Sequence, residues 1–223
     1  MILEQRGKFM KRDIIFPLFF ILFLGILPGC GKVYDWARGN FDQGREFKNE
    51  DIITEARNEI KTATVYDLFS VVGKFDALWL SDKVRDLYVN LFALKHRKDE
   101  AQQKVFLRRQ LEENNHFISF YVLSLHDVVL GEQDTNWSMF LKVGDNVYTP
   151  KEIKIIDLDP VYKDIFGKMS NKFKDVYLVY FNAKDIENNY IINPDVETIS
   201  LSFRSVNKEV SFTWDVGSNF AEY

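Results

Sequence analysis

One thiol, three imidazoles and one closely spaced pair of carboxylates are the side chains of this sequence whose types and spacing invite chemistry. Cys30 is the only cysteine and follows Leu27-Pro28-Gly29. With no partner for an internal disulfide, its uses reduce to covalent modification or a buried free thiol. Asp157 and Asp159 flank Leu158 ahead of Pro160. Alternate residues of a strand share a face, so two carboxylates that close could bind a hard cation or share a proton. The competing reading is structural: Asp before Pro starts turns, and Asp157 can cap the short helical pattern from Val161 to Phe166. His96, His116 and His126 stand 20 and 10 residues apart, without the paired spacing of a helical zinc site, and read as exposed or hydrogen-bonded structural residues. A Gly-x-Ser-x-Gly elbow and a phosphate-cradling Gly-rich loop are both missing, so nucleophilic catalysis has no support and no cofactor or metal is expected. The aromatics from Tyr66 and Phe69 through Trp79 to Trp214 are of the kind that line a glycan cleft, but such residues more commonly fill cores.

The surroundings of Cys30 give its chemistry a direction. Arg6, Lys8, Lys11 and Arg12 precede an apolar run from Ile14 to Ile26, and small residues precede the cysteine, which is the layout of a secretory signal. The run is shorter than the roughly 20 apolar residues of a membrane span. Ending in Leu-x-Gly-Cys, it resembles the lipobox of bacterial lipoproteins. That resemblance implies a signal peptide over residues 1–29, a diacylglycerol joined to the Cys30 thiol, and a mature chain that starts at Cys30 and is held in a membrane by acyl chains such as palmitate. At about 0.8 kcal/mol per buried methylene, one chain holds marginally and two or three hold stably. Gly31 after Cys30, in place of Asp, resembles lipoproteins that move on to an outer membrane. A start at Met10 gives Met-Lys-Arg-Asp and then the apolar run, a complete signal without residues 1–9.

Removing residues 1–29, with their four basic and two acidic side chains, leaves 194 residues at a net charge of −6. Nucleic acid is excluded as a partner, because backbone phosphates need a basic footprint and none is clustered here. The same balance disfavours attraction to anionic lipid headgroups and leaves membrane attachment to the acyl chains. Without disulfides, an exported body of this size depends on its hydrophobic core. Residues 30–47, with Gly31, Gly39, Asn40 and Gly44 among charges, read as a lipidated tether in which Trp36 and Phe41 are candidates to dip toward the interface.

Hydrophobic spacing changes near Asn114-Asn115. Before it the period is helical. Ile52, Ile53, Ala56, Ile60 and Ala63 share one face of a helix over residues 51–63. Ser81 caps a second helix that ends near Lys95-His96-Arg97, and Asp99 caps another running to about Glu113. Residues 48–115 therefore read as a helical region of three or four helices. After Asn115 the period is two. Phe117 to Leu125, Trp137 to Val143, Ile153 to Leu158, Val176 to Phe181, and the alternating segments around Leu201 and Phe212 read as strands. Asn207-Lys208 joins the last two through a tight turn in which Asn takes a positive φ. Pro150 and Pro160 bracket the third strand and favour a sheet edge for it. Six or seven such strands need a second sheet over their apolar face, so residues 116–217 are expected to form an antiparallel sandwich, with 218–223 as a C-terminal tail.

The stretch Val65-Tyr66-Asp67, then Trp79-Leu80-Ser81-Asp82 with Val84-Arg85, and later Pro150-Lys151-Glu152-Ile153 and Val176-Tyr177-Leu178-Val179, resembles a group of uncharacterised bacterial envelope lipoproteins. The resemblance implies an α+β chain, a helical N-terminal part followed by an immunoglobulin-like β-sandwich, in the bacterial cell envelope. It implies no activity. Two function classes fit. One is a non-enzymatic binding or interaction module that meets an envelope protein or another envelope component, for instance through an exposed strand. The other is a hydrolase of cell-wall or glycan substrates working through carboxylates such as Asp157 and Asp159. A concave pocket holding two carboxylates and an aromatic wall would favour the second.

Overall fold

A computed structural model describes residues 48–131 and 136–217. The signal region 1–29, the tether 30–47 with Trp36 and Phe41, the attachment residue Cys30, the alternative start Met10 and the tail 218–223 lie outside the described residues.

Helix α1 (48–58) buries Ala56 and packs Ile52 and Ile53 beside it, as its spacing requires. It stops there. The bonds Glu59 N to Ala56 O (3.2 Å) and Ile60 N to Arg57 O (3.1 Å) close its last turn, and the chain leaves as strand β1 (Lys61–Asp67). The expected helix to Ala63 is thus cut short. Thr62, Thr64 and Val65 are β-branched, and alternation from Ala63 to Val65 turns both against the sandwich core. Strand β2 (Ser70–Trp79) returns antiparallel to β1. Its end, Phe75 to Trp79, is buried at every position, so no period of two was visible there.

Helix α2 (Asp82–His96) follows, with Ser81 Oγ accepting from Val84 N at 3.3 Å, and Arg97 closes it in the left-handed region at φ 52°. Asp99 caps α3 (Glu100–Asn114), accepting from Gln102 N at 2.8 Å. Both caps are those expected from sequence; each satisfies a backbone N–H that the first helical turn leaves without a partner. Then come β3 (Phe117–Leu125), β4 (Ser138–Val143), β5 (Asn146–Tyr148), β6 (Glu152–Ile155), helix α4 (Pro160–Phe166), a 3-10 turn (Gly167–Met169), β7 (Lys174–Asn182), β8 (Thr198–Arg204) and β9 (Glu209–Asp215). Residues 48–115 are therefore not purely helical, and the helices are not gathered at the N-terminal side: α2 and α3 sit between β2 and β3, and α4 between β6 and β7.

The chain is α+β, with two antiparallel sheets ordered β1-β2-β3-β7-β6 and β5-β4-β8-β9. β6 is an edge strand, as the flanking prolines require, but ends at Ile155 instead of Leu158. The β8–β9 connection is a four-residue loop closed by Ser205 N donating to Lys208 O at 2.8 Å, and the positive-φ residues are elsewhere, so Asn207 is not the left-handed turn residue expected.

Two cores result. Phe75, Phe120, Leu141, Phe203 and Trp214 are among the side chains that fill the space between the sheets. Leu78, Leu123, Val84, Leu91 and Ile165 belong to a second core between the five-stranded sheet and the helices. Trp214 is 1 % exposed, packs against Phe120 at a tilt of 50° (5.4 Å between centroids) and donates its indole N–H to Glu59 O at 2.9 Å. Thr213 points the other way and shares a 2.8 Å bond with Ser200 on the solvent side. Trp214→Ala should cost about 3–5 kcal/mol, whereas Thr213→Ala should stay within about 0.5 kcal/mol of the parent in urea unfolding. Equal midpoints would refute this register.

Candidate ligand cleft

The carboxylate pair read from sequence does not assemble. Because β6 ends at Ile155, Asp157 and Asp159 lie beyond the strand and do not share a strand face. Asp159 caps α4 by accepting from Val161 N at 2.8 Å, with Pro160 at the first helical position where its missing N–H costs nothing. The cap is therefore Asp159 and not Asp157, which is exposed. The three histidines are also dispersed: His96 ends α2 against Phe92, while His116 and His126 stand at opposite ends of β3. Among the described residues no group of three or more His, Cys, Asp or Glu side chains could hold a metal ion.

Of the aromatics singled out, Trp214 is core, Tyr66 and Phe69 are on an exposed hairpin, and Trp79 alone lines a cleft. That cleft, about 530 Å³, lies where β2 hands over to α2 and α3 hands over to β3. Arg85 organises it. Only 2 % exposed, its Nε donates to Asn114 Oδ1 at 2.7 Å and to Leu80 O at 3.3 Å, and its Nη1 donates to Gln110 Oε1 at 3.0 Å and meets Glu113 Oε2 at 3.1 Å. Asn114 in turn donates to Asp82 Oδ1 at 2.7 Å. A guanidinium presents its donors in a rigid fork, so one buried side chain locks the end of α3 to the start of α2.

The cleft wall combines apolar planes with a mixed polar rim. Trp79, Phe117 and Tyr190 supply rings, and Asp82, Glu112 and Arg108 supply charge, with Asn114 and Asn115 between them. Phe117 is backed by the Tyr180 ring at 5.2 Å and carries Lys151 Nζ at 4.9 Å. Tyr190 is 48 % exposed, with Lys184 Nζ 4.7 Å from its centroid, on a short hairpin loop pinned by the Lys184–Tyr190 bridge. Behind the wall, burial pushes the Tyr121 and Tyr162 hydroxyls well above the usual tyrosine range and Tyr88 to about 12, so these stay neutral.

Asp86 is a carboxyl pushed upward by burial, and it pairs with Asn90 outside the cleft. Sequence spacing marks none of Asp82, Arg108, Glu112 and Asn115 as a site residue; its one trace of the cleft is the change of hydrophobic period at Asn114-Asn115. They are surface polar residues that become neighbours only when α3 folds back on α2.

Asp159→Ala should destabilise the fold by about 1 kcal/mol through loss of the α4 cap, and Asp157→Ala should be near neutral, as read by thermal unfolding; the reverse order would contradict the assignment. His126 meets Asp175 Oδ1 at 2.7 Å and Lys172 O at 2.7 Å, and the Asp175 bond foremost raises its pKa. A raised histidine value means that the stabilising pair is complete at low pH and is lost as pH climbs through the folded value. The NMR titration midpoint of His126 should lie above about 6.5 and fall back in Asp175→Asn. No shift between the two proteins would remove the pair as its cause.

Compared with protein-family models and with curated proteins, the chain matches none, so the chemistry of the cleft rests on its own residues.

Proposed function

We propose that this chain is a lipoprotein of the bacterial cell envelope, anchored through acylated Cys30 in a membrane, the outer one in a two-membrane host, and working as a non-enzymatic binding module. The observation that carries the binding part is the cleft at the α2–α3 hinge. Ring faces beside amide, carboxylate and guanidinium groups suit a ligand that alternates apolar faces with hydroxyl or amide edges, such as a cell-wall saccharide. Its wall is held rigid by Arg85 in advance of binding.

The immunoglobulin-like description of the sandwich is part of the same proposal. Its support is the strand order: β2-β3-β7-β6 in one sheet and β5-β4-β8-β9 in the other correspond to the A-B-E-D and C′-C-F-G arrangement of such domains, with β1 added at an edge. Aromatic and aliphatic side chains such as Phe120 and Leu201 take the interior that a disulfide crosses in antibody domains. Partner-strand recruitment would fall to the edge strands β1 and β9, of seven residues each, and not to β5 and β6, of three and four.

A glycan hydrolase is the second reading, and one observation favours it: Asp82 and Glu112 line the same cleft as the rings. Against it, Glu112 is exposed and Asp82 is engaged by Asn114, so neither sits in the apolar setting that makes a carboxyl a proton donor at neutral pH.

The test uses the full chain made in a bacterial host with a labelled fatty acid. Acyl label should enter the wild-type protein and be absent from Cys30→Ser; label on the serine variant would sink the anchor. Purified protein is then titrated with soluble peptidoglycan fragments. Tyr190→Ala should weaken binding about tenfold without lowering Tm, and no saccharide product should form. Product that disappears in Glu112→Gln would replace the binding module with the hydrolase, and an unchanged Kd in Tyr190→Ala would remove the cleft from either reading.

A further inference from the structure

The β1–β2 ribbon outruns its neighbours. β1 and β2 pair down to Asp67 and Ser70, whereas β2 pairs with β3 only from Phe75. At about 3.3 Å per residue, Ser70 to Lys74 carry the turn roughly 15 Å beyond that pairing. The turn is Leu68-Phe69, with Leu68 at 89 % and Phe69 at 102 % exposure. Tyr66 and Val71 beside it are exposed as well, and so is Val206 at the β8–β9 turn. That second turn is close by, because its Lys208 bridges Asp67 at 3.2 Å.

These residues are a poor choice for making a turn. Leu68 takes φ 52°, the left-handed region where Asn or Gly is favoured, and a γ-branched side chain there is strained. Two large apolar side chains at the apex gain nothing from the fold, yet each costs hydration in the free protein. We propose that the Leu68-Phe69 apex inserts into the apolar border of a lipid bilayer, with Tyr66, Val71 and Val206 around it.

The bilayer is preferred as occupant on shape, reach and charge. Among the described residues the Leu68 and Phe69 side chains are almost fully exposed at a protruding turn, which suits a fluid that closes around them, whereas a protein would need a fitted socket. Residues 31–47 extend to no more than about 60 Å, so a body anchored at Cys30 stays within touching distance of the membrane; this step rests on the anchored reading. Lys208 beside the patch is paired with Asp67, Asp127 is the further charge near Val72 and Val206, and the mature chain is acidic at −6, so anionic headgroups gain nothing and the contact is apolar and not electrostatic. A second copy of the chain is the alternative occupant.

The experiment places an environment-sensitive fluorophore on Phe69→Cys in a full-length Cys30→Ser background, where it is the only thiol. Ile186→Cys, an equally exposed site on another loop, is the control. With phosphatidylcholine vesicles, the label at 69 should shift to the blue and be quenched by bromolipid at least threefold more than the label at 186. Leu68→Ser should reduce the shift, and neither 0.5 M NaCl nor added anionic lipid should change it. Equal quenching at 69 and 186 would overturn the proposal. So would loss of the shift in salt, or a shift that grows with protein concentration without vesicles and so reports a second copy. The anchored reading fails by a separate readout, the absence of acyl label on wild-type Cys30, which leaves this result intact.

Discussion

Everything in the body follows from the need to cover one sheet on both faces. Strand β3 sends Ile118, Phe120 and Val122 into the space between the sheets, and Leu123 and Tyr121 into the space under the helices. A sandwich alone would leave Leu78, Leu80, Leu123 and Leu178 in water, at about 25 cal/mol per Å2 of apolar surface. The helices are inserted where they can return to that face. They are also braced to each other: Arg57 of α1 donates to Ile165 O (3.0 Å) and Asp164 O (3.1 Å), two carbonyls that the end of α4 leaves without helical partners. Gly167 completes the end of α4 at φ 52°, and a Cβ there would approach the Arg57 guanidinium to 3.1 Å.

Polar groups within this second interface are few, and most are paired, although the buried Arg85 Nη2 and Tyr162 hydroxyl have no hydrogen-bond partner among the described residues. Asp76 on β2 pairs with Lys174 on β7 and accepts from Thr62 Oγ1 of β1 at 2.8 Å, with both charged side chains almost fully buried. Such a pair adds little net stability over an apolar replacement, but loss of one partner leaves a charge stranded. It therefore penalises any register of β1, β2 and β7 that separates the two. Arg85 does the same for the helices, since rotating α2 would disturb three hydrogen bonds and an ion pair made by one side chain.

How much of this could be read beforehand depended on whether an element has a wet side. β8 and β9 do: Ser200, Ser202, Ser211 and Thr213 face water while Leu201, Phe203, Phe212 and Trp214 face inward, so both strands and their facing were legible. The caps Ser81 and Asp99 were legible because capping is a local bond. β2 was not, because burial of both faces erases alternation from Phe75 to Trp79. The cleft was hidden for another reason. Its members come from β2, α2, α3, β3 and the loop after β7, and no local spacing relates Asp82 to Glu112 or either to Tyr190. For Asp157 and Asp159 sequence left a shared strand face and a turn-and-cap role both open; the end of β6 at Ile155 removes the first, and Asp159 takes the cap.

The placement of α2 and α3 between β2 and β3 also bears on the order in which the molecule assembles. Pairing β2 with β3 closes a long loop, since Trp79 must find Phe120 across the whole helical excursion. Loop entropy makes such a contact slow for a flexible chain. The two helices carry their own caps and are joined by the Arg85 fork, all contacts between residues less than about forty positions apart, so the excursion's own local contacts hold its two ends together in the folded chain. At the base of that excursion Leu80 N donates to Ser119 O at 2.9 Å, where the β2–β3 ladder begins. The excursion that lengthens the crossover in sequence is the device that shortens it in space.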